Sequence, residues 1–422
     1  MEMAAELDKA VFHSKKERGM TGKYDVLIIG GGLVGASLLC ALESAINQYE
    51  LKVALVETHS IDEARDTPPS YDARASALSY GTQLIYEELG LWSALDQFAT
   101  PILDIQVSDQ GHFGATNLNY QDEGVPALGY VVENHRLGEV LLKKLKDFRD
   151  QGLVEVLSPA QVESLQPMPG SEMKVLIGQS GESVEKLASL VVLADGGRSS
   201  LMEKLCIGRK HYDYEQHALI ANVSLDRPHQ GVAYERFSGR GPMALLPLSD
   251  DRSALVWTVP SDEINDKIAM DDETFLTTLQ EKFGYRAGEF TRVGTRETYP
   301  LALSVAREQV RPGLVVLGNA AHAMHPVAGQ GYNLAIRDTL ALADNIINSI
   351  RQGMSPGHLT RLLQYVDEQK TDQKMTLDFC DGLVKLFSRQ ELPVILARNL
   401  GLTCLDMSRG LKGRFARKAM GL

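Results

Sequence analysis

At 422 residues the chain exceeds what one small core can organise, and it reads as two interleaved domains. Its 44% hydrophobic and 23% charged residues, with mean hydropathy near zero, are those of an ordinary globular protein. The formal net charge of -12 argues against general affinity for nucleic acid or broad adhesion to anionic lipid, although a local basic patch could still bind the latter.

Four cysteines, Cys40, Cys206, Cys380 and Cys404, are scattered without a C-x-x-C pair. That spacing suits neither a zinc site nor a disulfide framework and fits a reducing compartment. No stretch reaches the roughly 18 apolar residues that span a bilayer. Residues 1–22 mix Glu2, Glu6, Asp8 and Glu17 with Lys15, Lys16 and Arg18 and lack the apolar core of a secretory signal. The expectation is a fraying tail on a cytoplasmic protein, touching at most the inner face of a membrane.

Residues 24–29, Tyr-Asp-Val-Leu-Ile-Ile, form a short apolar run ending at glycines, the pattern of a buried parallel strand. Leu33 to Ser44, rich in Ala and Leu, predicts a helix packed on that strand, and Leu51 to Val56 a second strand ending at Glu57. Together they make a β–α–β unit of about 30 residues, the length a dinucleotide fold needs. Asn134 to Phe148 sets Leu137, Val140, Leu141 and Leu145 at the spacing of an amphipathic helix. Val154–Val156, Lys174–Ile177 and Leu187–Leu193 predict a small meander returning to the first sheet. Alternation in Ala218–Val223, Val232–Phe237 and Ala254–Val259 predicts antiparallel strands of a second, inserted sheet. Leu314–Leu317 is another buried parallel strand, followed by a long helix from about Gly331 to Arg351. Residues 355–388 read as helical, with a mixed tail behind them.

Chemistry concentrates in three segments. In Gly30-Gly31-Gly32-Leu33-Val34-Gly35, Gly30 permits a tight turn and Gly32 lets the backbone approach a pyrophosphate. Gly35 allows the helix to pack on the strand, and the helix N-terminus offers amides and positive dipole to the anion. Glu57, at the end of the next strand, suits the ribose hydroxyls of adenosine and would repel a 2′-phosphate. The second segment is Val191 to Ser200, an apolar strand ending in Asp195-Gly196-Gly197; alone it is also what an ordinary turn looks like. The third, Leu317 to Asn333, ends a strand in small residues before Gly329-Gln330-Gly331 opens a helix. That second amide cluster suits an anion or an electron-rich ring and reads as a further cofactor or substrate contact. His322 and His325 have metal-ligand spacing, but no carboxylate or third histidine lies nearby in sequence.

These three segments, in this order and at these separations, resemble the group A FAD-dependent aromatic-ring hydroxylases over nearly all of residues 24–390. The resemblance implies an α/β fold of the p-hydroxybenzoate hydroxylase kind: a Rossmann-like FAD-binding domain with an inserted antiparallel-sheet substrate domain. Residues 23–100, 131–211 and 301–352 would bind FAD, 101–130 and 212–300 the substrate, and 353–422 would form a C-terminal helical region. It further implies that Asp195 and Gly196 serve FAD, together with Arg198 and Ser199. Gly318, Asn319, Pro326 and Asn333 would hold the flavin chain, with the backbone of Gly329, Gln330 and Gly331 facing the flavin ring. Asn319 stands where the wider family usually has Asp; it keeps an acceptor for a ribityl hydroxyl and loses the charge.

Asp72-Ala73-Arg74-Ala75-Ser76-Ala77-Leu78 and Glu133-Asn134 resemble segments of the ubiquinone-biosynthesis hydroxylases. There the Arg (Arg74) is expected near the pyrophosphate and the Asn (Asn134) near the cofactor. Val107 to Gly114, Tyr234 to Phe237 and Leu245 to Asp250 are similar to the branch acting on 2-polyprenyl-6-methoxyphenols. The implied reaction uses NAD(P)H to reduce FAD, O2 to form a flavin C4a-hydroperoxide, and a polyprenyl phenol as oxygen acceptor. No side chain stands out as acid or base. A shallow apolar cleft is expected for the ring, with the prenyl tail left in a membrane or an accessory ubiquinone-biosynthesis complex. Another ring position, another phenol, or a non-oxygenating flavin reductase or oxidase of the same fold are the alternatives.

Overall fold

The computed structural model describes residues 22–63, 74–249 and 251–422. The N-terminal tail, apart from Gly22, and the positions Asp72, Ala73 and Asp250 of the motifs above lie outside them.

The first strand, Lys23–Ile29, lies between the parallel strands Glu182–Leu193 and Val53–Val56, and Val154–Leu157 and Leu314–Val316 extend the sheet on either side. Its apolar run is continuous because both faces are covered: Val26 and Ile28 enter one core, Leu27 and Ile29 another. The meander returns by three antiparallel strands, Gln161–Met168, Glu172–Gln179 and Glu182–Leu193. The first of these escapes the sequence pattern because its outer half is polar and exposed.

The helix expected over Leu33–Ser44 runs Leu33–Ala41 and resumes as Glu43–Tyr49, Leu42 closing the first segment. The second strand begins at Val53 rather than Leu51.

A second sheet of nine strands has Arg209–Leu225 as its longest member, flanked by Glu297–Ala306 and Arg252–Pro260. The domain limits expected at 211/212 and 300/301 both fall inside these continuous strands. The sheet is antiparallel with one exception. Val232–Ser238 pairs in parallel with Asp104–Asp109, which is how the chain between the two FAD-binding segments joins it. Alternation sorts its side chains. Leu219, Leu255, Trp257 and Met243 pack under the helix Asp272–Phe283, while Ala218, Ile220, Ala254 and Val256 face a large cavity. A small third sheet joins Ala75–Ser79, Gly129–Glu133 and Thr100–Ile102.

The long helix after the third motif spans Gln330–Arg351, and the next Leu359–Ser388. Behind it, in the part of the C-terminal region read as a mixed tail within an expected helical region, lie two helices, Leu392–Met407 and Arg409–Ala419. Pro393 sits in the first turn of one, and the Ser408 hydroxyl caps the other by accepting from the Leu411 N–H. No helix among the described residues is long and apolar enough to cross a membrane.

The helix Leu392–Met407 is tied to the second sheet by a buried ion pair. Arg398 grips Asp109 with two hydrogen bonds of 2.8 and 3.2 Å, and Nη1 donates to the Arg389 carbonyl at 2.7 Å. Asn399 completes the arrangement, donating to Asp109 at 2.9 Å and accepting from the Gly114 N–H at 2.6 Å. Removing one member of such a pair leaves a charge buried without its partner. Arg398→Met is therefore expected to cost about 3–5 kcal/mol of stability, read as a lowered urea midpoint, with partial recovery when Asp109→Asn is added.

Candidate active site

All three motifs converge on one cavity of about 1130 Å³. At one end is the glycine turn. Gly30 has φ of +104°, and an added Cβ there would lie 2.6 Å from the Ala194 carbonyl oxygen. The Glu57 carboxylate is buried beside this turn, accepting from the Gly31 N–H at 2.6 Å and the His59 N–H at 2.9 Å. Gly30, Gly32 and Glu57 line the cavity. Gly35 does not line it; an added Cβ there would lie 1.9 Å from the Gly30 carbonyl oxygen, so the residue lets the helix pack on the turn.

Along the middle lie Arg74, Asn134, Asp195 and Gly196. The Asp195 carboxylate accepts from the N–H groups of Gly197 (2.8 Å) and Ser199 (3.1 Å), so it shapes the turn that carries Gly196 into the cavity. Arg74 stacks over the Tyr299 ring at 4.6 Å, and its carbonyl accepts from the Asn134 N–H at 2.7 Å. The Asn134 side chain accepts from the Ser76 hydroxyl at 2.7 Å.

The third motif forms the next wall, with Asn319, Pro326, Gly329, Gln330, Gly331 and Asn333 all lining the cavity. Gly318 does not line it; with φ of +65° it packs against Val34 of the first helix. Ala328 and Gly329 are both left-handed, φ 57° and 60°, which turns the chain abruptly into the long helix. Asn333 pins this turn to the third sheet: its amide donates to the Ala77 and Gly329 carbonyls, both at 2.9 Å, and its oxygen accepts from the Ser79 N–H at 2.8 Å. Gln330 donates to the Ala419 carbonyl at 3.2 Å and so reaches the last helix. His322 pairs with Asp338 at 2.8 Å, and no metal-ligating cluster occurs among the described residues.

Two helices thus begin at the cavity wall, at Gly32 and at Gly329, and neither start is capped by a side chain. Uncapped amides and two positive dipole ends suit a ligand with a pyrophosphate at one end and an electron-rich ring at the other. Residues 23–379 match the family described as FAD binding domain. The chain belongs to the FAD-dependent hydroxylases of that family.

Ubiquinone hydroxylase UbiL of Rhodospirillum rubrum is 38% identical over 399 residues, covering 94% of this chain and 89% of its own. The human mitochondrial ubiquinone biosynthesis monooxygenase COQ6 is 28% identical, covering 92% and 91%. Among solved structures, p-nitrophenol 4-monooxygenase PnpA from Pseudomonas putida has a TM-score of 0.76 at 17% identity, covering 95% of this chain and 99% of that one. These relations place the hydroxylase in the ubiquinone-biosynthesis group, with FAD as cofactor and NAD(P)H as the co-substrate typical of the class. The p-hydroxybenzoate hydroxylase-like architecture agrees with the two sheets described above.

Two titratable groups on the cavity wall carried no acid or base role in the sequence. Burial holds the His325 imidazole down to about 4, hence neutral, with Nδ1 accepting from the Val327 N–H at 3.3 Å. Glu235 lies on the cavity face of the second sheet, in line with Ala233 and Phe237. Burial pushes its carboxyl up to about 8, against a hydrogen bond from the Ala328 N–H that works the other way. Its signal was present in the period-2 alternation of residues 232–237, which puts one acid among cavity-facing apolar positions.

A β-carbon on Gly32 would occupy the backbone approach to a pyrophosphate. Gly32→Val is expected to purify without flavin, read as loss of the 450 nm-region absorbance, about complete, while far-UV circular dichroism stays native. Glu235 gives a second outcome. Its folded carboxyl titrates above the unfolded value of 4.5, so its contribution is present below 4.5 and lost as pH rises through about 8. Within that window wild-type apoprotein should lose about 1.4 kcal/mol per pH unit relative to Glu235→Gln. Parallel stability–pH curves for the two proteins would refute it.

Proposed function

We propose that this hydroxylase acts on the ring of a polyprenylated phenol in ubiquinone biosynthesis, of the 2-polyprenyl-6-methoxyphenol class. The observation that carries the reading is the continuation of the cavity past the Gly329–Gly331 turn into an apolar chamber. Ile220, Val256 and Leu246 of the second sheet line one side, and Leu383, Leu402 and Phe415 of the C-terminal helices the other. A volume above the roughly 300–1,000 Å³ of an ordinary ligand pocket suits FAD together with a second, apolar molecule.

In this reading Gly30, Gly32 and Glu57 hold the adenosine and pyrophosphate end of FAD. Arg74, Asn134, Asp195 and Gly196 follow along its middle, and Asn319, Pro326 and the Gly329–Gly331 backbone hold the flavin end. When bound, FAD would supply the oxygen-activating chemistry, drawing on NAD(P)H and O2. The chain's task is to present an electron-rich ring to it and to keep water away. The Gly329 and Gln330 turn, fixed by Asn333, sets the ring's distance. Glu235, protonated near neutral pH, offers its O–H to the ring's oxygen substituent and fixes its orientation. The apolar walls exclude water and lead the tail outward.

The decisive experiment is deletion of the gene with mass spectrometry of accumulated quinone precursors. A methoxyphenol bearing the prenyl tail should build up, and normal quinone levels would refute the assignment. With purified enzyme, NAD(P)H and 18O2, the product should gain one labelled oxygen. Peroxide release with unlabelled product would instead identify an oxidase.

A further inference from the structure

The helix Leu392–Met407 is built inside out. Its inward positions include the polar Arg398 and Asn399, satisfied by Asp109, while Leu392, Leu396, Leu400 and Met407 point to solvent, Met407 with 81% and Leu392 with 73% of its surface exposed. These residues recur at spacings of four, four and seven positions, one face of a helix, and Leu411 continues the row into the next. A solvated helix ordinarily shows the reverse pattern, so this face is made for a partner.

Charge identifies the partner. The whole chain carries -12, yet residues 407–422 hold Arg409, Lys412, Arg414, Arg417 and Lys418 and no acid. Among the described residues only Lys412 of these meets an acid, Asp406 at 3.5 Å, and the arginines are exposed. An apolar helical face beside a basic segment matches an anionic bilayer, where apolar side chains enter the acyl boundary and each basic residue meets lipid phosphate.

Position gives the docking a purpose. Ala397 and Gly401 are exposed and also line the cavity, one residue along from Leu396 and Leu400. Phe415, Ala419 and Met420 of the basic helix line it too. One edge of the active-site chamber therefore runs along the apolar face.

We propose that the helices Leu392–Met407 and Arg409–Ala419 dock the hydroxylase on an anionic bilayer, with the open edge of its cavity against the lipid. Docking follows from the surface alone. Its use, passing a lipid-embedded phenol into the chamber, rests on the substrate reading above. A prenyl tail could then stay among acyl chains while the ring enters beside Leu402 and Leu405.

The test is co-sedimentation of the purified, flavin-loaded full chain with phosphatidylcholine vesicles, with and without phosphatidylglycerol. Wild type should bind the phosphatidylglycerol vesicles and release partly in high salt. Leu396→Glu with Leu400→Glu should weaken binding at least about tenfold. Arg414→Gln with Arg417→Gln should weaken it about tenfold on the anionic vesicles only. Flavin absorbance and circular dichroism of both variants should match wild type. Wild type that stays unbound, or variants that bind as wild type does, overturn the proposal. So does self-association abolished by the leucine changes without any vesicle binding, since a second copy then covers the face. Turnover of a short-tailed, water-soluble phenol separates the two readings: turnover without vesicle binding rejects docking alone, and vesicle binding without turnover of any phenol rejects the substrate reading alone.

Discussion

A β-carbon placed on Gly35 would lie 1.9 Å from the carbonyl oxygen of Gly30, so the first helix stands directly on the turn that ends the first strand. That contact sets the direction of the helix axis and the place of its uncapped amides. Strand Glu182–Leu193, hydrogen-bonded beside the first, and Leu314–Val316, hydrogen-bonded beside that one, must then end at the same edge of the sheet. Asp195 and Asn319 arrive at the cavity for that reason, since each follows a strand whose register is fixed by the parallel ladder. Gly318 closes the set by packing on Val34, one residue before Gly35.

The second sheet adds what the first cannot, a wall with two chemistries. Its period-2 alternation gives the aromatic and large aliphatic residues Trp257, Leu255 and Leu219 to the helix-covered core. The smaller Ala218, Ala254 and Ala233 go to the cavity, where small side chains leave room for a ring. Glu235 is the acid on that wall, and its burial follows from the same alternation that makes its neighbours apolar. The parallel pairing of Val232–Ser238 with Asp104–Asp109 carries this wall toward the buried Asp109, and so to the C-terminal helices.

Features set by steric necessity were legible in the sequence, because no other residue type satisfies them. The glycine turn and the Gly329–Gly331 turn are of that kind, and residues of all three motifs line the cavity. Gly35 was legible as a glycine needed for close packing of helix on strand, while the contact of Gly318 with Val34 was not. What stayed hidden depends on pairing across the fold. Asp109 and Arg398 are 289 positions apart, and nothing local marks either as buried. Asn333 lines the cavity, and the backbone partners that tie it to Gly329, Ala77 and Ser79 could not be read from its motif. The C-terminal helices were expected only as a helical region, and which of their faces is covered stayed hidden because a sequence period marks an apolar face without saying whether core or solvent meets it.

The outward apolar face of those helices bears on how an acidic protein meets a membrane. A net charge of -12 repels an anionic surface from most directions, and screening limits the repulsion to about 10 Å at moderate salt. The segment 407–422, basic throughout, is the end of the chain for which approach is favourable, so electrostatics selects an orientation before any apolar contact forms. Because the same segment supplies Phe415, Ala419 and Met420 to the cavity, the orientation that charge selects brings this wall of the cavity toward the surface. Arg398 is the residue that makes this coupling rigid: buried against Asp109, it holds the outward-facing leucines in register with the chamber. The buried pair thus acts on geometry, keeping a lipid-facing surface and a ring-binding wall on one helix.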